Sequence, residues 1–164
     1  MIALQVTALV LVAVAMGLAL AHALEFPGKL RLTREQYLAT QSIYYPGFTI
    51  GGIAEPVALV ALAVLVWLTP AGTVRGLTIA ALAAIAAMHA TYWLLTHPVN
   101  GFWTAGAALD RLGRGFFAFD PLGRGHSDEP PDWTRMRDRW EVSHVVRAAF
   151  GLAGLILLAT ALAL

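Results

Sequence analysis

The chain has 164 residues, 59% hydrophobic and 13% charged, with a mean hydropathy of +0.69 and a formal charge of +1 at pH 7. Such values lie outside the range of soluble domains and specify a polytopic membrane protein. The near-neutral charge leaves no concentrated basic surface for nucleic acid, and the absence of cysteine removes disulfides, thiolate metal sites and cysteine nucleophiles.

The first apolar stretch, residues 2–24, is rich in Leu, Val and Ala with Gly17 as its breaker. Ala21, His22 and Ala23 have the small-x-small form of a signal cleavage site, but the preceding stretch carries no Lys or Arg and exceeds a usual signal core. It is therefore read as a retained span. Phe26, Pro27 and Gly28 form a stop signal, since proline removes a donor and disfavours helix at the residue before it. Thr33 with Gln36 three positions on reads as a capping box opening a short helix to about Tyr45. Tyr37, Tyr44 and Tyr45 would place that helix in the membrane interface.

The second span is expected over 48–68. Starting it at Pro56 would leave only about 20 Å of helix, too short to cross, so Pro56 falls inside it and should kink it beside Glu55 by freeing the Gly52 carbonyl. Residues 69–72 form a tight turn. The third span, 74–95, is Ala-rich, with Gly72 and Gly76 as a small-xxx-small pair, and is expected to stop at Thr96, His97 and Pro98. A Gly-, Pro- and charge-rich loop follows, with Leu-Gly-Arg-Gly at 112–115 and again at 122–125. It is expected to form a lid, with Phe116, Phe117 and Phe119 on the bilayer surface. The last helix, 134–164 with an apolar part from Val142, can run unbroken from Asp132 for roughly 45 Å, so its first turns project from the membrane. One all-α domain results: an integral membrane four-helix bundle with an interfacial helix after the first span.

Every acid, every histidine and every Lys or Arg except Arg75 falls at one end of these spans. An excess of Lys and Arg marks cytoplasmic loops, so loops 25–47 and 97–133 are expected in the cytoplasm and both termini outside, with a bacterial inner membrane as the expected location. The polar end is where function should be sought, because ionisable residues within spans are costly unless they serve a site. His22 and Glu25 share a helix face, Glu55 lies beside the proline kink, and His89 sits about 12 Å inside the end of the third span. His97, at the surface, is about as far from His89, so the two cannot hold one ion. On the last helix Trp133, Arg137, Trp140, His144, Arg147 and Gly151 form one stripe. Each of these has a plainer reading. Trp133, Arg137 and Trp140, and even His144 and Arg147, would serve as headgroup anchors; His89 could bond a carbonyl, Thr91 or Tyr92; Glu25 could pair with Lys29. If a metal is bound, His22, Glu25, Glu55, His89 and His144 are the alternative ligand set, suited to iron or another hard metal. Phosphate loops, serine elbows and transporter-like internal symmetry are absent.

The segment holding His22, Glu25, Pro27 and Lys29, the stretch 41–45, the run His97, Pro98, Val99 and Asn100, and Trp133 with Arg139, Trp140, His144 and Arg147 together resemble the small four-span membrane proteins of the anthrone oxygenase family. The resemblance implies a membrane-embedded oxygenase-like protein, in which named members oxidise an anthrone to an anthraquinone with no known cofactor. The long insert between Asn100 and Trp133 departs from the family pattern. Chemistry that fits both site and resemblance needs a base and a cation. His144 or His22 would take a proton from an acidic carbon, with Glu25 beside His22, and Arg147 would stabilise the enolate oxygen. Asn100 and Trp140 would orient and stack an apolar, polycyclic substrate, with Tyr44, Tyr45, Glu55 and His89 completing its wall. Alternatives are a haem- or metal-binding redox or quinone-interacting protein and a non-catalytic accessory subunit. The expected partners are the lipid bilayer and that small molecule, with a homo-oligomer left open.

Overall fold

The computed structural model describes residues 1–104, 111–119 and 132–164. Among them every regular element is helical: α1 at Ile2–Lys29, α2 at Arg34–Gln41, α3 at Gly47–Gly51, α4 at Ala54–Leu68, α5 at Thr73–Thr91, α6 at His97–Thr104, α7 at Arg111–Ala118 and α8 at Trp133–Ala163. A 3-10 turn at Ser42–Tyr44 follows α2, and a π-helical turn at Tyr92–Thr96 joins α5 to α6. Four stretches, Ile2–Lys29, Gly47–Leu68, Thr73–Trp103 and Trp133–Ala163, are long and apolar enough to cross a membrane. The protein is an all-α integral membrane four-helix bundle.

Successive spans are neighbours, and α8 closes the ring by packing on both α1 and α5. Lipid tails are as apolar as leucine, so close packing rather than water exclusion must hold such helices together. Small residues allow it. Ala8, Val12, Ala15 and Ala19 repeat every three or four positions and give α1 one buried face in a core shared with Ala58 and Leu62 of α4, Ile85 and Met88 of α5, and Ala148 of α8. At Gly151 the backbones of α8 and α1 come close: an added Cβ would lie 3.0 Å from Met16 Cβ and 3.1 Å from its Cα. Gly76, by contrast, would meet nothing within 4 Å, and Gly72 serves the turn with a φ of 149°, so the small-xxx-small pair expected there does not mediate packing within this chain.

Prolines shape the polar half of the bundle. A proline inside a helix leaves the carbonyl four residues earlier without its donor. For Pro56 that carbonyl is Gly52, which accepts instead from the Glu55 N–H at 3.1 Å, and the expected kink is a break between α3 and α4. For Pro98 it is Leu94, which accepts from Arg139 Nη2 of α8 at 3.0 Å. The third span therefore does not stop at 96–98 as its sequence suggests. It widens into the π-helical turn and continues to Thr104, since a neighbouring helix supplies the missing donor. The first span likewise runs through Pro27 to Lys29, whose ammonium lies 2.8 Å from Glu25 Oε2 one turn back.

Thr33 caps α2 through a complete capping box with Gln36. The tyrosines expected at the interface are placed otherwise. Tyr37 and Tyr44 are buried, and with Val99, Trp103 and Trp140 they build a second, aromatic core over the polar ends of the spans. In the loop, Gly113 of α7 is buried against the Tyr45 ring, Phe116 and Phe117 border a cavity, and Phe116 and Phe119 are exposed, as a surface position requires. The second Leu-Gly-Arg-Gly, at 122–125, lies outside the described residues.

Candidate functional site

A cavity of about 1130 Å³ occupies the polar half of the bundle, walled by all four spans and covered by α2, α6 and α7. It exceeds the roughly 300–1,000 Å³ of ordinary small-molecule pockets. His22, Tyr44, Tyr45, Glu55, His89, Asn100, Trp140, His144 and Arg147 all line it. Glu25 does not. Its carboxylate is on the far side of Tyr44, where Oε2 accepts from the Tyr44 hydroxyl at 2.6 Å and pairs with Lys29.

Hydrogen-bond partners fix the state of three histidines, since an indole or phenol hydrogen can only be donated and a carbonyl only accepts. At His89, Nε2 accepts from Trp93 Nε1 at 3.0 Å, so Nδ1 carries the hydrogen and donates to Glu55 Oε1 at 2.9 Å. At His97, the Phe119 carbonyl accepts from Nε2, leaving Nδ1 to accept from the Tyr92 hydroxyl at 3.1 Å. Both rings are consumed by structure. His97 is buried, contrary to the surface position its sequence suggests, and it ties the end of α7 to the π-helical turn.

His144 is different. Its Nδ1–H donates to the Trp140 carbonyl at 2.9 Å, and no described residue hydrogen-bonds its Nε2. This leaves a ring of fixed orientation with a lone pair on a cavity-lining group, the state a general base requires. One turn on, Arg147 Nη2 donates to Glu55 Oε2 at 2.7 Å, and its guanidinium lies 5.1 Å from the centre of the Tyr92 ring. Glu55, itself buried, thus joins the part-buried His89 and Arg147 in one cluster that holds the guanidinium in place at the cavity wall.

His22 packs in an aromatic cage of Tyr44, Phe48, Trp140 and His144, with ring centroids 4.4 to 4.8 Å away. Its Nδ1 is buried without a hydrogen-bond partner, 3.7 Å from Glu25 Oε2. The alternative metal set of His22, Glu25, Glu55, His89 and His144 is not assembled: among the described residues no three such side chains form a ligand group. Glu55 and His89 are bonded to each other, and the His22 and His144 rings meet edge to face at 4.4 Å, leaving no room for a planar macrocycle between them.

The family model for anthrone oxygenase matches residues 41–157, more than half of the chain. The chain belongs to the anthrone oxygenase family. No curated protein and no solved structure matches it. The match covers the second and third spans and most of the fourth, and with them Glu55, His89, Asn100, Trp140, His144 and Arg147; His22, Glu25 and Lys29 lie before it.

Sequence reasoning named Lys29 as the partner of Glu25 and placed Tyr44 and Asn100 at the site, but it missed the burial of Lys29 and the part played by Glu141. Lys29 is buried over the Tyr44 and Trp140 rings at 4.8 Å from each and lies 3.5 Å from Glu141 Oε1, which accepts from the Tyr37 hydroxyl at 2.8 Å. Burial, reinforced by Glu141 at Tyr37 and by Glu25 at Tyr44, pushes both phenols up, so both remain donors at neutral pH. Trp140 Nε1 donates to Asn100 Oδ1 at 2.9 Å, which makes Asn100 the residue that orients the indole. Glu141 follows Trp140 in a segment whose other polar residues read as a solvated helix end, so only the three-dimensional neighbourhood reveals its burial.

Proposed function

We propose that the protein is a membrane-embedded oxygenase that takes a flat, apolar, polycyclic substrate from the bilayer and oxidises an acidic carbon with O2. His144 is the observation that carries this reading: its Nδ1 is fixed by the Trp140 carbonyl, and its Nε2 is left to a large, aromatic-walled cavity. His144 Nε2 takes the proton of a methylene flanked by two aryl rings, and the electron pair delocalises onto the ring carbonyl, whose developing oxyanion accepts from the guanidinium of Arg147. The carbanion then reduces O2, forming a C–O bond and a peroxide that His144 reprotonates. Loss of the remaining C–H proton with cleavage of the O–O bond gives a ketone and water. One O2 is consumed per substrate, with one oxygen atom in the product and the other in water.

Trp140 and Tyr44 stack the rings; the Trp140 bond to Asn100, the Lys29 ammonium over its ring and the position of both residues on the cavity wall support this. The excess of Lys and Arg in loops 25–47 and 97–133 supports a cytoplasmic position for the cavity end, in a bacterial inner membrane. The test is aerobic conversion of anthrone by the purified protein in nanodiscs. Quinone should form faster than in protein-free nanodiscs, with equal amounts of O2 consumed and quinone produced. A rate no greater than that background would remove anthrone-type oxidation as the function.

A further inference from the structure

One stretch of the cavity wall holds polar atoms that the chemistry above does not use. Helix α2 presents Arg34, Leu38 and Gln41 to the cavity, at positions that share one face with the buried Tyr37. Trp103 of α6 also lines the cavity and packs on Tyr37, with ring centroids 5.0 Å apart. Its indole Nε1 is buried without a hydrogen-bond partner, and so is the side-chain nitrogen of Gln41. Trp103 as a whole is 8% exposed. Buried donors are almost always satisfied, so two orphans on residues that line one cavity mark a place where a small side-chain shift lets a ligand supply the acceptor. An indole N–H can only donate, the Gln41 amide adds a second donor, and Arg34 contributes positive charge at the rim.

We infer that Trp103 and Gln41, with Arg34 at the rim, form a second polar subsite that binds an oxygen substituent of the substrate on the α2 side of the cavity, an ionised phenolate or carboxylate oxygen being preferred. The subsite is separate from the acid–base group. Trp103 makes ring contacts with Tyr37 and Phe102, and none with His22 or His144 among the described residues. The inference rests on the proposed polycyclic substrate and adds to it: the natural substrate carries an oxygen at an edge away from the reacting carbon, and that oxygen sets which way the molecule lies against His144.

Binding tests this without turnover. Anthracene and anthracene-2-carboxylate lack the acidic methylene, so neither is consumed, and their fluorescence reports binding to the full-length protein in nanodiscs, with protein-free nanodiscs correcting for partition. The wild type should bind the carboxylate more tightly than anthracene. Trp103→Phe keeps the ring and deletes the donor, and Gln41→Leu keeps the volume; each should weaken the carboxylate about tenfold, as expected for one hydrogen bond to a charged oxygen, and leave anthracene unchanged. Arg34→Gln should give a smaller loss that disappears at high salt. Equal loss for both probes, or no loss for either, overturns the subsite while leaving the cavity as a polycyclic pocket. If the wild type binds neither probe, both the pocket and the subsite are wrong.

Discussion

His144 and Arg147 lie three residues apart on α8, on a stripe from Trp133 to Gly151 that the sequence left open between headgroup anchors and a site. The stripe itself divides. Trp133 and Arg137 pair with each other at 5.2 Å, as anchors do, whereas Trp140, His144 and Arg147 face the cavity. Arg147→Lys should lower quinone formation severalfold or more, because an ammonium cannot hold both Glu55 and a developing oxyanion in the geometry of a planar fork. A variant as fast as the wild type would show that the guanidinium has no part in the reaction. His89 stood out in the sequence as an ionisable group deep in an Ala-rich span. Its partners, Glu55 and Trp93, come from another span and from a turn whose π geometry the sequence does not announce, so its positioning role could not be read in advance. Glu55→Gln keeps a side chain for His89 but leaves Arg147 without its counter-charge. It should lower stability by about 3–5 kcal/mol, measured by thermal or denaturant unfolding in detergent; unchanged stability would mean that the guanidinium finds water instead.

At the scale of elements, hydropathy and capping chemistry located the spans and the start of α2, because both depend on local residue type. Helix ends at proline were misread. Whether a helix survives Pro27, Pro56 or Pro98 depends on who takes the orphaned carbonyl. At Leu94 the donor is Arg139, far along the chain; at Gly52 it is local, and the helix breaks there. Helix packing was equally non-local. The glycine pair visible in the sequence, Gly72 and Gly76, makes no close contact, while Gly151 receives Met16. Gly151→Ala should therefore separate α1 from α8 and cost about 1–3 kcal/mol, whereas Gly76→Ala should be neutral or slightly stabilising. Parallel melting curves decide this. The reverse order would show that α1 and α8 do not approach as described.

For the whole molecule, the gathering of nearly all charge at one end of four spans follows from antiparallel connectivity alone, and so the sequence already pointed to that end. What it could not show is that the charges close on themselves. Glu25, Lys29, Glu141 and Tyr37 form a scaffold behind Trp140, Glu55 locks His89 and Arg147, and His144 Nε2 is left to the cavity. Orientation is testable independently: reporters fused at Leu164 and inserted between residues 113 and 125 should report opposite sides of the membrane, the inserted one being cytoplasmic. The central claim, that His144 is the base of an oxidation by O2 in this cavity, is tested most directly by the rate of anthraquinone formation from anthrone by His144→Gln against the wild type, both folded in nanodiscs. Glutamine retains hydrogen bonding but cannot accept a proton near neutral pH, so the variant should fall to the protein-free rate, a loss of about 10²-fold or more where the wild-type rate leaves room to see it. Quinone formation by the variant at the wild-type rate would contradict the account.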